Sequence, residues 1–122
     1  METIVQILIG LIALEHLYFL YMEMFAWETA GKKAFKDVLP GELFKPTKSL
    51  AANQGLYNGF LAAGLLWTFF ITDETWKAYI SVFFLGCITI AGIYGGLTAS
   101  KKILIVQALP AIIAIILILT NK

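Results

Sequence analysis

Four long apolar runs constrain this chain more than any other feature of its sequence. They lie at about 3–27, 50–71, 78–99 and 103–120. The hydrocarbon core of a bilayer is about 30 Å thick, and a helix needs about 20 mainly apolar residues to cross it. Because unpaired backbone groups are costly in lipid, each run is predicted to be an α-helix. The sequence therefore predicts an all-α polytopic membrane protein, a bundle of four transmembrane helices.

The composition agrees with a membrane location. Of the 122 residues, 60% are hydrophobic and only 14% are charged, whereas soluble domains average about 25% charged residues. A water-soluble fold of this length could not bury that much apolar surface. The net charge of +1 offers no basic patch for nucleic acid. We therefore expect residues 1–122 to form one membrane domain. Its expected partners are the lipid bilayer, a small-molecule or lipid ligand and further copies of the chain in a homo-oligomer, with no nucleic-acid partner.

The lysines predict the orientation of the bundle. Five of them lie in the loop at about 28–49, and Lys101 and Lys102 occupy the connection between the third and fourth runs. Cytoplasmic loops of membrane proteins carry an excess of Lys and Arg. Both connections are therefore predicted to be cytoplasmic, and both termini extracytoplasmic, in a multi-pass protein of the plasma membrane.

The first apolar run contains three ionisable side chains, Glu15, His16 and Glu23. An ionisable group at the centre of a span costs roughly 2.5–3.5 kcal/mol on insertion scales, so it usually faces the interior of a bundle. At about 100° per residue, His16 and Glu23 are nearly in line and Glu15 lies to one side of them. One wedge of the first helix is therefore predicted to present all three groups.

The other three runs contain uncharged polar side chains at similar depths. At about 1.5 Å per residue, these groups fall within the cytoplasmic half of the bilayer, as does Glu23, while Glu15 and His16 lie nearer its middle. We predict that they form a polar pocket open toward the inner face. The candidate ligand-binding residues are Glu15, His16, Glu23, Asn53, Gln54, Tyr57, Asn58, Tyr94 and Gln107.

The second and third runs each contain glycines at four-residue spacing. Gly55 and Gly59 form one such track, and Gly92 and Gly96 form another. Tracks of this kind let a neighbouring helix approach closely. The four glycines are therefore predicted to be helix-packing positions.

Three interpretations of function remain open. In the first, the pocket binds a small polar or amphipathic ligand, or relays protons, with Glu15, His16 and Glu23 supplying charge and protons. In the second, the polar groups satisfy one another, and the chain is a structural or assembly protein that self-associates as a homo-oligomer through its glycine tracks. In the third, the protein is a membrane-embedded enzyme that uses Glu and His as acid and base. No cofactor is identified and no metal site is predicted, since no Glu-x-x-His pair is present.

The polar segments also resemble a known family. Leu14-Glu15-His16, Glu23-Met24-Phe25 and the segment Ala-Asn-Gln-Gly-Leu-Tyr-Asn-Gly-Phe-Leu-Ala at 52–62 are similar to those of domain of unknown function family 1304. This family consists of small bacterial membrane proteins, and the resemblance covers essentially the whole chain. It implies a four-helix inner-membrane protein without an established activity, and it assigns no catalytic residue.

Overall fold

The computed structural model describes residues 1–121, which are all-helical and contain no strand. The long helices are α1 Thr3–Phe25, α2 Lys48–Trp67, α3 Glu74–Thr98 and α4 Lys101–Thr120. Three of them, α1, α3 and α4, are long and apolar enough to cross a membrane, whereas α2 is less apolar. Residues 53–59 of α2 include two asparagines, a glutamine and two glycines, which explains the difference.

The ends of the helices follow from local backbone chemistry. The predicted first helix, 3–27, stops at Phe25 because Ala26 leaves the helical conformation (φ −138°, ψ 32°). The third begins at Glu74 rather than at 78, because the Asp73 carboxylate accepts a hydrogen bond from the Trp76 amide at 3.0 Å and caps the new helix. The predicted second helix, 50–71, ends in a 3₁₀ turn at Thr68–Phe70.

The four helices form two antiparallel hairpins. α1 packs chiefly on α2, and α3 packs chiefly on α4. The second hairpin closes through Ala99 (φ −124°, ψ −65°) and Ser100, whose backbone is extended (φ −153°, ψ 133°). The Ser100 hydroxyl accepts a hydrogen bond from the Lys102 amide at 3.3 Å, so it caps the start of α4.

Glycines allow the close approach of the helices within each hairpin. A Cβ atom on Gly92 would lie 2.6 Å from the backbone nitrogen of Ala108, and one on Gly55 would lie 3.1 Å from the Leu20 carbonyl oxygen. A Cβ atom on Gly59 would likewise lie close to Leu20, and one on Gly96 would lie close to Leu104. All four predicted packing glycines thus face partners in their own chain.

An apolar core joins the two hairpins in one half of the molecule. We call this half, which contains residue 1 and the 68–73 connection, the terminal end. The opposite half, which contains the connections 26–47 and 99–100, is the loop end. The buried core consists of Val5, Ile9, Ile12, Ala13, Leu65, Leu85, Ile88, Ala111, Ala114 and Ile118.

The connection 26–47 folds into a small cluster around Trp27. The Trp27 ring lies 5.0 Å from the Phe44 ring and 5.5 Å from the Phe35 ring, and Phe44 is only 1% exposed. The indole N–H of Trp27 donates to the Thr47 hydroxyl oxygen at 3.0 Å. The connection therefore covers the loop end with a fixed, partly apolar surface.

Candidate functional site

A cavity of about 750 Å³ lies at the loop end, between the two hairpins. All four helices and the connection 26–47 contribute to its wall. Seven of the nine candidate residues line it: Glu15, Glu23, Gln54, Tyr57, Asn58, Tyr94 and Gln107. The two others are His16, which lies behind the wall, and Asn53, which is exposed and outside it. Asn53 precedes Gln54 by one residue, so it points about 100° away around the helix.

Each helix presents one continuous face to the cavity. From α1 the lining residues are 15, 18, 19, 22 and 23, and from α2 they are 54, 57, 58 and 61. Both sets have the i, i+3, i+4, i+7 spacing of a single helical face. Sequence reasoning selected polar residues and therefore did not include Tyr18, Phe19, Met22 and Leu61. All four lie three, four or seven residues from a polar candidate on the same helix, so helical spacing could have identified them.

The Glu23 carboxylate and the Asn58 amide join α1 to α2. Asn58 Nδ2 donates to Glu23 Oε1 at 2.6 Å, and both residues are buried. The bond is short because Gly55, one turn earlier on α2, lets that helix approach the Cβ atom of Glu23. A carboxylate only accepts hydrogen bonds, so the Asn58 amide must turn its NH₂ group toward Glu23. The Asn58 carbonyl oxygen is then left without a partner among the described residues.

His16 is fully buried and fixes the orientation of Gln107. Its Nδ1 atom lies 2.9 Å from the Ile12 carbonyl oxygen, and a carbonyl can only accept. Nδ1 therefore carries the hydrogen, and Nε2 is the acceptor. The Gln107 amide nitrogen, 3.2 Å away, donates to it. A neutral imidazole is thus satisfied on both sides, and the Gln107 carbonyl oxygen has no partner among the described residues.

Gln107 lies on a π-helical turn, Leu104–Ala108, immediately before Leu109 and Pro110. Proline lacks an N–H group and its ring clashes with the carbonyl four residues earlier. A wider turn relieves that conflict, and such turns are frequent at functional sites. The helix thus accommodates Pro110 with a π turn, which sets the direction of the Gln107 side chain.

Glu15 brings an unpaired acceptor to the wall of the cavity. Its Oε1 atom is buried and has no hydrogen-bond partner within residues 1–121. The nearest cationic candidate is His16 Nδ1 at 3.9 Å, which already faces Ile12. Buried polar atoms are nearly always hydrogen-bonded, and an exception requires an explanation.

Some side chains in the wall of the cavity are exposed. Tyr18, Tyr57 and Tyr94 are 52%, 53% and 70% exposed, and each of them lines the cavity. Lys102 also contributes to the wall and is exposed. The exposed part of the wall therefore includes three tyrosines and one ammonium group, while the carboxyl groups belong to α1.

Sequence reasoning missed a second polar contact at the terminal end. Lys77 is only 8% exposed, and its Nζ atom lies 3.5 Å from Gln6 Oε1. Ser81, one turn further along α3, is fully buried. Lys77 was expected in the turn before the third helix, but the early start of α3 carries it into the bundle.

Together these features define an all-helical protein with three helices able to cross a membrane and a cavity lined by carboxyl, amide and phenol groups. The chain belongs to the family described as protein of unknown function (DUF1304), whose profile matches residues 10–119. It is 34% identical over 116 residues to uncharacterized protein YpaA of Lactococcus lactis subsp. lactis (strain IL1403). The aligned region covers 93% of this chain and 96% of that protein. No solved structure matches the chain. The family resemblance drawn from the sequence is thereby confirmed.

Proposed function

We propose that the protein binds a small amphipathic molecule in the loop-end cavity. The observation that carries this proposal is the buried, unpartnered Oε1 atom of Glu15 in the wall of that cavity. A buried polar atom left without a partner costs about 1–3 kcal/mol, and more when the group is charged. A ligand in the cavity that donates a hydrogen bond would satisfy this atom.

The wall of the cavity favours an amphipathic ligand over a wholly polar one. Apolar side chains occupy much of the wall, among them Phe19, Met22, Val38, Leu61 and Val106. The volume of about 750 Å³ falls in the range of about 300–1,000 Å³ typical of small-molecule sites. A ligand with an apolar body and a polar group would match both kinds of surface.

We further propose that all four helices cross the plasma membrane, with the loop end in the cytoplasm. Large apolar side chains point outward from every helix, including Leu11 on α1, Phe60 on α2, Phe83 on α3 and Ile105 on α4, each more than half exposed. Apolar surface on this scale is unfavourable in water and favourable in lipid. Phe60 supports a fourth span even though α2 is less apolar. The lysines of both loop-end connections support the orientation.

Native mass spectrometry of protein extracted gently from its own membrane tests the binding proposal. Wild-type protein is expected to carry a non-covalent adduct. Ala91→Trp, which fills the cavity from α3, is expected to lose it. Ile90→Trp is the matched control, because the neighbouring residue is 71% exposed on the outer surface. Its adduct should equal that of the wild type.

Two results would contradict the proposal. One is wild-type protein free of adduct after extraction in several mild detergents. The other is an adduct retained equally by Ala91→Trp and Ile90→Trp, which would place the bound molecule on the outer surface.

A further inference from the structure

The hydrogen bonds in the wall of the cavity engage amide NH₂ groups and leave acceptor oxygens without partners among the described residues. The Asn58 NH₂ group is bonded to Glu23, and the Gln107 NH₂ group is bonded to His16. The imidazole N–H of His16 is bonded to the Ile12 carbonyl. Glu15 Oε1 has no partner among the described residues. A ligand beside these groups therefore meets carboxyl and amide oxygens that can accept hydrogen bonds from it.

The charged side chains of the wall also favour a ligand with a positive group. Glu15 and Glu23 on α1 are its acidic residues, and Lys102 on α4 is its basic residue. The lining positions that the structure gives to α2, α3 and the connection 26–47 add no charge. Lys102 is exposed, so salt in the solvent screens its charge. Glu15 lies about 12 Å deeper along α1 than Glu23, so the deep end has a carboxyl group without a counter-ion in the wall.

The aromatic rings of the wall are a third feature that favours a positive group. Tyr18, Phe19, Phe35, Tyr57 and Tyr94 all line the cavity. The face of an aromatic ring carries partial negative charge and attracts ammonium groups. Rings, carboxyl oxygens and amide oxygens together form surroundings that favour a positive charge and disfavour a negative one.

Building on the binding function proposed above, we infer that the ligand is an organic cation with an apolar body, an alkyl or aryl ammonium compound. Its charged group lies against the Glu15 carboxyl group and the free carbonyl oxygen of Gln107. Its apolar body lies along Met22, Leu61 and Val106. Selectivity comes from the hydrogen-bonding of His16, since that residue turns the Gln107 amide so that its oxygen is free.

Three amphiphiles that share a twelve-carbon chain test this inference. Dodecylammonium, dodecanol and dodecanoate are titrated into full-length protein in phosphatidylcholine nanodiscs, with empty nanodiscs as the blank, and binding is followed by calorimetry. The ammonium compound is expected to bind wild-type protein at least about tenfold more tightly than dodecanol, and dodecanoate more weakly still. Glu15→Gln is expected to abolish the preference for the cation. Glu74→Gln at the terminal end, where the side chain is 65% exposed, should retain it.

The outcomes separate this inference from the binding function. Equal affinities for the three amphiphiles, or tightest binding of dodecanoate, would overturn the cation inference. The binding function would still stand if Ala91→Trp abolished binding in the same assay. A native adduct whose mass identifies a molecule without a cationic group would overturn the cation inference as well. Loss of all binding differences between Ala91→Trp and Ile90→Trp would instead overturn the function itself. Circular dichroism of Glu15→Gln checks that the helices are intact.

Discussion

At the scale of single residues, His16 offers an unambiguous spectroscopic test because the chain has one histidine. Its contacts with the Ile12 carbonyl and the Gln107 amide require the tautomer with hydrogen on Nδ1. Nitrogen NMR of ¹⁵N-histidine-labelled protein in bilayers should show a neutral ring with a protonated Nδ1. Gln107→Leu should shift the Nε2 resonance, because that atom loses its donor. A ring protonated on Nε2 alone would contradict the arrangement.

The bond between Asn58 and Glu23 predicts a measurable loss of stability. Asn58→Ala removes the amide and leaves a buried carboxyl group unpaired, so we expect the free energy of unfolding to fall by about 1–3 kcal/mol. Denaturant unfolding in mixed micelles measures it. Asn53→Ala is the matched control, since that side chain is exposed, and it should change stability by less than about 0.5 kcal/mol. Equal effects of the two substitutions would show that the bond does not stabilise the fold.

The residue types of the site could be predicted from the sequence, but their partners could not. Glu15, Glu23, Asn58 and Gln107 stand out because polar groups are costly in apolar spans. The bond between Gln107 and His16 joins residues 91 positions apart, and it depends on how two hairpins meet. No spacing along one helix contains that information.

At the scale of helices, two glycines on α3 should respond to alanine with opposite signs. A Cβ atom at Gly92 would lie 2.6 Å from the Ala108 backbone, which cannot yield as a side chain would, while one at Gly86 would have no atom within 4 Å. We expect Gly92→Ala to destabilise the protein by about 1–3 kcal/mol. Gly86→Ala should stabilise it by up to about 1 kcal/mol, since alanine favours a helix over glycine. Thermal unfolding in detergent measures both.

A neutral or stabilising Gly92→Ala would mean that α3 and α4 do not pack as closely as the structure places them. A destabilising Gly86→Ala would mean that this open face of α3 is covered by something else. Either result would change the description of the second hairpin without altering that of the first.

The helices themselves follow from hydropathy, while their ends and irregularities follow from finer features. The start of α3 at Glu74 depends on the Asp73 cap, which a hydropathy pattern does not contain. The π turn before Pro110 is invisible to apolar periodicity, because it shifts the helical phase inside an uninterrupted apolar run. These two features move Lys77 and Gln107 to positions that the pattern alone could not give.

At the scale of the whole molecule, the proposed orientation places the two connections of the loop end in the cytoplasm. In a Cys87→Ser background, Lys36→Cys and Thr72→Cys carry one thiol each on opposite ends of the bundle. A membrane-impermeant maleimide applied to intact cells should label Thr72→Cys and leave Lys36→Cys unlabelled until the cells are broken. The reverse pattern would invert the orientation, and labelling of both residues in intact cells would contradict a four-span arrangement.

The division of the molecule into a packed end and a hollow end arises from the distribution of side chains along the runs. Aliphatic and alanine side chains of the terminal end interdigitate into the core that joins the hairpins. The loop end carries large aromatic and polar side chains that do not fill the space between the hairpins, and the connection 26–47 covers what remains. The convergence of polar groups at one depth could be predicted by counting residues, but the volume that they enclose depends on the packing of both hairpins.

The most direct test of a ligand site in this cavity is an experimental density map of the protein purified from its own membrane into nanodiscs. We expect non-protein density in the loop-end cavity, in contact with Glu15 and the Gln107 carbonyl oxygen, with Asn58 still bonded to Glu23. A cavity collapsed by side chains, with the Glu15 carboxyl group bonded to a neighbour in the chain, would contradict the proposal and favour a purely structural polar cluster.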